Sequence, residues 1–309
     1  MQRVAYVNGR FVPEDEAVVS IWDSGFQVGH TVFETERTFR HQLFELDTHL
    51  DRLWRSAKYA CIDPGVSKAQ LKDIIQQVLE KNLHLIGADD DYWIYQHLTG
   101  GVFNFFHSAE LGPAKSTLIV NCFPIAFEHY AHHYEKGAHL VTSSIRIPPP
   151  ICQDPKMKSR SRITYHLADL QAKQSDQDAY CLLLDIEGNI AENRGANVFL
   201  VRDGKVFTPT TRNVLDGVSR GVVMDLAREL GHPVIEKDLQ LYDAYTADEV
   251  FLTSTSFCIL PIAKIDHVTV GERIPGEITG QLLAAWSARV GIDIIGQAHS
   301  AKSKRAKTA

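Results

Sequence analysis

The chain has 309 residues, 44% of them hydrophobic, and carries 38 acidic against 32 basic side chains for a net charge of −6. That length allows one large or two ordinary domains with a sizeable core, and the acidic balance argues against nucleic acid as the main partner. No apolar run approaches the roughly 18 residues a membrane span needs, and the polar–apolar alternation from Gln2 onward does not read as a signal peptide.

In chain order, Val4 to Val12 predicts a hairpin centred on Asn8-Gly9, a strong two-residue turn signal. Thr31 to Leu46 repeats the arrangement around Arg40, His41 and Gln42. Asp47 is the expected cap of a helix whose Leu50, Leu53, Trp54 and Ala57 keep helical spacing, and Ser67 opens another with Leu71, Ile74, Ile75, Val78 and Leu79 on one face. Strands are expected near Tyr92–Thr99 and 117–123, giving a small α+β domain of hairpins and two helices over residues 1–125. The polar stretch 126–137 reads as an interdomain linker. Its His129, His132 and His133 have metal-ligand types, but a solvated linker or helix is the reading preferred, so no metal is expected.

A second domain is expected over 138–295. The strand HLVTSS and the loop IRIPPP open it, and a helix follows Lys158. Strand patterns broken at Glu187-Gly188 and Asp203-Gly204 then suggest an antiparallel meander. A helix near 218–230, a strand near 249–253 and a helix near 276–290 complete it. Residues 296–309, with Lys302, Lys304, Arg305 and Lys307, read as a disordered basic tail. Five cysteines without a C-x-x-C pair, of which Cys122 and Cys181 sit in apolar strand patterns, fit a reducing compartment, so a cytoplasmic location is expected.

The chemistry concentrates between Pro155 and Arg220. Lys158 lies in PKMKSRSRITYHLADLQA, Glu192 follows 34 residues later in GNIAENRGANVF, and Leu215–Arg220 reads LDGVSR. An amine, an acid and a glycine-started helix are what a protein needs to hold pyridoxal 5′-phosphate (PLP). The amine forms a Schiff base, the acid keeps the pyridine nitrogen protonated, and N–H groups at a helix start take the phosphate. Lys156 competes with Lys158 for the amine role.

These residues resemble the fold-type IV, or class IV, PLP-dependent aminotransferases, a group that includes branched-chain aminotransferases, D-amino acid aminotransferases and aminodeoxychorismate lyases. Glu192, Asn197, Val198, Phe199, Thr208, Leu215, Gly217, Val218 and Arg220 fall in register with the family signature, and Arg194 departs from it where a small residue is usual. The resemblance implies an α+β, two-domain fold-type IV enzyme with a larger antiparallel-sheet C-terminal domain, working as a homodimer on an amino acid and a 2-oxo acid. Counting back from Glu192 favours Lys158 over Lys156 as the catalytic lysine. Val218, Ser219, Thr255 and Arg52 are implied for the phosphate, and arginine suits it because its fork pairs two oxygens.

For the substrate, the resemblance points to Phe33, Tyr92, His107, Ser256 and Phe257. Ile94, Phe105 and Ile163 stand where relatives place an arginine, an arginine and a tyrosine. Arg194, two residues after Glu192, is then a candidate for the charge that meets a substrate carboxylate. Phe33, Phe103, Phe105 and Phe106 suggest an apolar pocket. Arg162, four residues after Lys158, matches an arginine of the lyases and keeps β-elimination as the alternative to amino transfer; a non-catalytic PLP-binding protein is a third reading, against which the Lys158 and Glu192 pair argues.

Overall fold

In the computed structural model, which describes residues 2–102 and 115–306, the chain divides into two units. The first comprises Met1–Ile125 together with Met157–Ser161. Its six-stranded sheet runs in the order β2-β1-β6-β5-β3-β4, from β1 (Val4–Val7), β2 (Arg10–Pro13), β3 (Thr31–Phe39), β4 (Gln42–Leu43), β5 (Tyr92–Thr99) and β6 (Thr117–Pro124). Asn8 and Gly9 turn β1 into β2 with φ of 47° and 92°, the left-handed pair that a tight hairpin turn requires.

Helices α2 (Leu46–Tyr59) and α3 (Lys68–Asn82) follow the short α1 (Ser24–Val28) and pack with the sheet in one core containing Leu50, Leu53, Leu71, Ile75, Val78, Tyr92, Ile94 and Leu98. Helix α3 starts as expected: Ser67 Oγ accepts from the Gln70 N–H at 3.2 Å while Gln70 Oε1 accepts from the Ser67 N–H at 2.8 Å. Helix α2 does not. Its cap is Glu45, in a left-handed conformation, and Asp47 lies in the first turn, ion-paired with Lys72. The chain returns to this unit at 157–161, where the Phe33 N–H donates to Lys158 O at 3.0 Å and the Arg160 N–H to Thr31 O at 2.9 Å.

The second unit comprises Ala126–Lys156 and Arg162–Ala309. Its main sheet path is β12-β11-β10-β13-β14-β7-β8, built from β7 (Ala138–Arg146), β8 (Tyr180–Leu184), β10 (Ala196–Arg202), β11 (Lys205–Thr208), β12 (Val234–Glu236), β13 (Glu249–Ser254) and β14 (Cys258–Ile265), with β9 (Glu192–Asn193) beside β10 and β15 (Val268–Thr269) beside β14. This sheet is mixed, not purely antiparallel. The helix α5 (Ile163–Ser175) lies between β7 and β8 in the chain and makes them a parallel pair, as a helical crossover does. Both expected turns form: Asp203-Gly204 joins β10 to β11, and at Glu187-Gly188 the chain folds back so that Leu184 and Ile190 make an antiparallel bridge and the Ala191 N–H donates to Leu183 O at 2.9 Å, although β8 and β10 themselves are separated by three strands.

Two expectations about the boundaries change. Residues 126–137 are not a solvated linker: they form a 3-10 turn at Phe127–His129 and the short α4 (His133–Lys136), and bury Phe127, Tyr130, Ala131, His133 and Tyr134. Of the tail expected over 296–309, residues 296–306 are instead part of a helix, α9 (Ile294–Ala306), because Ile294, Ala298 and Ala301 recur at helical spacing and are buried, with the helix packed on the 127–129 turn. Helices α6 (Val218–Glu229), α7 (Leu241–Tyr245) and α8 (Glu277–Val290) complete the unit. Among the described residues no helix is long and apolar enough to cross a membrane.

Candidate active site

In the first unit the returning segment sets Lys158 against β3. Its Nζ lies 4.7 Å from the centroid of the Phe33 ring, and its own N–H donates to Ser56 Oγ at 3.2 Å. Lys156 is exposed and its amine pairs with Asp154 at 3.0 Å, which leaves Lys158 as the better-placed amine. Two residues on, the Arg160 guanidinium covers the same Phe33 ring at 3.7 Å and reaches the Tyr95 ring at 5.7 Å. Tyr95 and His97 stack in parallel at 5.9 Å, and His97 stacks on Phe33 at 6.2 Å.

This face comes from β5, but not from the position expected. Tyr92 is fully buried in the core, where its hydroxyl donates to Asn82 O at 2.8 Å. A strand turns successive side chains to opposite faces. Tyr92 and Ile94 therefore point to the helices, whereas Tyr95 and His97 point the other way, His97 directly opposite Phe33 in the ladder. Arg160, Tyr95 and His97 were missed in the sequence; the alternation of β5 against Phe33 is the signal that finds them. Phe103, Phe105, Phe106 and His107 lie outside the described residues.

Charge on the helix side of β3 is tightly organised. Arg52 pairs with Glu34 through Nε and Nη2, both at 2.7 Å, and His49 Nδ1 stands 2.8 Å from the same carboxylate. Burial opposes ionisation of Glu34, but Arg52 and His49 outweigh it and hold the carboxyl far below its ordinary range. Glu36, fully buried, moves the other way: burial first, then the Glu34 charge, raise it well above the ordinary 4.5. Burial, and secondarily Arg160, push the His97 imidazole down to about 3, so His97 is neutral and Arg160 carries the charge on this face.

The second unit holds the acid. Glu192 is buried in β9, where its carboxylate accepts from the Tyr165 hydroxyl at 3.0 Å and from the Leu215 N–H at 3.0 Å. Asn197 donates to Leu215 O at 3.0 Å, tying β10 to the loop before α6. Gly217 caps α6 without a side-chain hydrogen bond, and a Cβ there would meet Asn197 Oδ1 at 2.1 Å, so glycine is required by close approach. Val218 and Ser219 form the first turn. Arg220 turns inward to Pro209 O at 2.9 Å and Glu236 at 2.6 Å, and so anchors the helix start. Thr255, Ser256 and Phe257 form the turn between β13 and β14; the Tyr130 hydroxyl donates to Ser256 O at 3.0 Å and the Tyr134 hydroxyl to Phe257 O at 2.6 Å.

Arg194 does not stand as the expected substrate cation. Its side chain is exposed and pairs with Asp169 at 3.4 Å, while its carbonyl accepts from Arg162, whose guanidinium also covers the Tyr165 ring at 4.0 Å.

Residues 31–265 match the model of the amino-transferase class IV family. A Methanocaldococcus jannaschii protein provisionally named a branched-chain-amino-acid aminotransferase is 36% identical over 90% of this chain and 93% of its own. A D-alanine aminotransferase of Listeria monocytogenes is 30% identical over 89% of this chain and 92% of its own. Among solved structures, the branched-chain aminotransferase of the archaeon Thermoproteus uzoniensis with norvaline superposes with a TM-score of 0.82 at 25% identity, covering 96% of each chain.

Proposed function

Since the chain belongs to the class IV aminotransferases, which are PLP-dependent enzymes, we propose that it moves an amino group from an α-amino acid of the branched-chain or D-alanine kind to a 2-oxo acid. The donor set fits the cofactor: an amine held against an aromatic ring, a buried carboxylate supplied with N–H and O–H donors, and a helix start capped by a glycine, which has no side chain to occupy its N–H groups. When bound, PLP supplies an electron sink that makes the substrate Cα–H acidic.

The remaining roles belong to the chain. Lys158 holds the cofactor and moves the proton at its Nζ. Glu192 pairs with the pyridine nitrogen, with Tyr165 and the Leu215 N–H keeping the carboxylate in place. Val218, Ser219, Thr255 and Arg52 take the phosphate. Arg160 meets the substrate carboxylate, and Phe33, Tyr95 and His97 line its surroundings. Of the turn residues Ser256 and Phe257, the Ser256 N–H already donates to Ser254 Oγ at 3.2 Å, so Phe257 is the one we propose as a further N–H donor. The observation that carries this reading is the placement of Lys158 and Arg160 over one ring, Phe33. Arg162 is engaged by the Arg194 carbonyl, which favours transfer over the lyase reaction.

We place the enzyme in the cytoplasm as a homodimer. The exposed apolar side chains Val18, Ile21, Trp22, Phe26 and Val28 are surface that a second copy would cover.

The test is steady-state kinetics of Arg160→Ala with L-leucine, L-valine and D-alanine and with a matched amine lacking the carboxylate. A lost charge-assisted hydrogen bond predicts a rise in KM of roughly ten- to a hundredfold for the amino acid the enzyme uses. The matched amine should be unaffected. Equal effects on both donors would reject the role of Arg160, and release of pyruvate from aminodeoxychorismate with no amino group passed to a 2-oxo acid would reject the transferase reading.

A further inference from the structure

His132, His133 and Asp178 meet on the second unit, with one ligand atom from each lying within 4.8 Å of the others. Asp178 is 46 residues from His132 in the chain, so the meeting of the three is a product of the fold and not of a local motif. His132 Nε2 stands 2.6 Å from one Asp178 oxygen and His133 Nε2 stands 3.5 Å from the other. We propose that these three side chains, none of them assigned to PLP, form a binding site for a divalent transition-metal ion of the zinc type.

The state of His133 carries the argument furthest. The residue is 4% exposed, and among the described residues its buried Nε2 makes no hydrogen bond, the Asp178 carboxylate standing 3.5 Å away. A buried polar nitrogen left so is costly and calls for a ligand. Its other nitrogen, Nδ1, lies 3.3 Å from the Gly137 carbonyl, which can only accept. Nδ1 therefore carries the proton and Nε2 presents its lone pair, the tautomer of a metal-ligating histidine whose outer nitrogen donates to a backbone carbonyl.

The spacing suits a tetrahedral ion. With metal–ligand bonds of about 2.0–2.2 Å, ligand atoms stand about 3.4 Å apart. The His133–Asp178 pair is already at 3.5 Å, whereas the His132–Asp178 pair, at 2.6 Å, must open. Asp178 is well exposed and His132 partly so, so both side chains have room to move, and water fills the fourth position. Two imidazoles and one carboxylate favour zinc, nickel or copper over calcium or magnesium, which prefer oxygen ligands. The histidines are held in advance of binding: Tyr130 and Tyr134 fasten their helical turn to Ser256 O and Phe257 O, and the Tyr180 ring meets His133 edge-on at 5.5 Å.

The test uses the PLP-loaded full chain and zinc, titrated in competition with a chromophoric chelator. The variants are His132→Ala and Asp178→Asn, chosen because both positions are at least partly exposed, together with His133→Ala. Each is expected to weaken zinc binding at least about tenfold while leaving aminotransferase activity at its wild-type level. Cobalt in place of zinc should give the visible absorption of a tetrahedral site in the wild type and lose it in Asp178→Asn. Because the chain has 14 histidines, zinc held elsewhere is the competing outcome. Equal affinity in wild type and all three variants, or no binding by the wild type at micromolar zinc, would overturn the proposal.

Discussion

Glu34→Gln removes the charge against which Arg52 and His49 are held, and its consequence can be worked out from the geometry. Glutamine keeps the shape of the side chain, but one of its two terminal atoms becomes an N–H donor facing groups that are themselves donors. The pair is fully buried, with Arg52 bonded through Nε and Nη2 at 2.7 Å each and His49 at 2.8 Å. Removing one partner of a buried ion pair costs about 3–5 kcal/mol, because the other charge stays buried. At about 2 °C per kcal/mol for a long chain, the melting temperature should fall by roughly 6–10 °C.

The pH dependence gives a second readout. Glu34 has a depressed folded pKa, so its contribution is fully present above the ordinary 4.5 and is lost only as pH falls toward the lower folded value. Differential scanning calorimetry at pH 7 and pH 3 should therefore show a large gap between wild type and variant at pH 7 that narrows in acid. The variant should also bind PLP more weakly if Arg52 takes the phosphate. A melting temperature within a degree of wild type at pH 7 would refute the view that Glu34 neutralises and positions Arg52.

Lys158→Ala should lose the absorbance of bound cofactor and more than roughly a hundredfold in turnover, whereas Lys156→Ala keeps both; borohydride reduction of the wild type should fix the cofactor to the Lys158 peptide, and labelling of Lys156 would reverse the assignment. Glu36→Gln should stabilise the protein at neutral pH. Glu36 Oε1 accepts from Gln96 Nε2 at 2.5 Å, while Glu36 Oε2 and Gln96 Oε1 are buried acceptors without partners among the described residues, so a neutral carboxyl supplies the donor they lack. A raised folded pKa means that stability declines as pH rises above the ordinary 4.5, and an amide escapes that loss. The melting temperatures should coincide near pH 4 and separate toward pH 8 in favour of the variant; a variant less stable at pH 8 would show that Glu36 is ionised in the folded protein.

The sequence by itself determined what depends on near neighbours in the chain. The Asn8-Gly9 and Asp203-Gly204 turns, the Ser67–Gln70 capping box and the strands Tyr92–Thr99 and 117–124 rest on backbone preferences and hydrogen bonds that close within a few residues. The proposal of Lys158, Glu192 and the Gly217 helix start for the cofactor rests on the sequence in the same way, because one stretch of chain carries all three and their spacing is family-specific. Tertiary structure decided the rest. A shift of three residues along β5 exchanges the buried Tyr92 for Tyr95, since adjacent strand positions face opposite sides and only pairing with β3 says which side meets Phe33. Residues 126–137 and 296–309 looked solvated because polar and charged side chains outnumber the apolar ones in each; in the fold, Phe127, Tyr130 and Tyr134 of the first and Ile294, Ala298 and Ala301 of α9 are buried, and α9 packs on the 127–129 turn. The charge next to Lys158 belongs to Arg160 and not to Arg194, because Asp169 reaches Arg194 from a different helix. The His132–His133–Asp178 cluster has the same cause: strand and helix packing brings an acid 46 residues away in the chain to 2.6 Å, a proximity that no local pattern encodes.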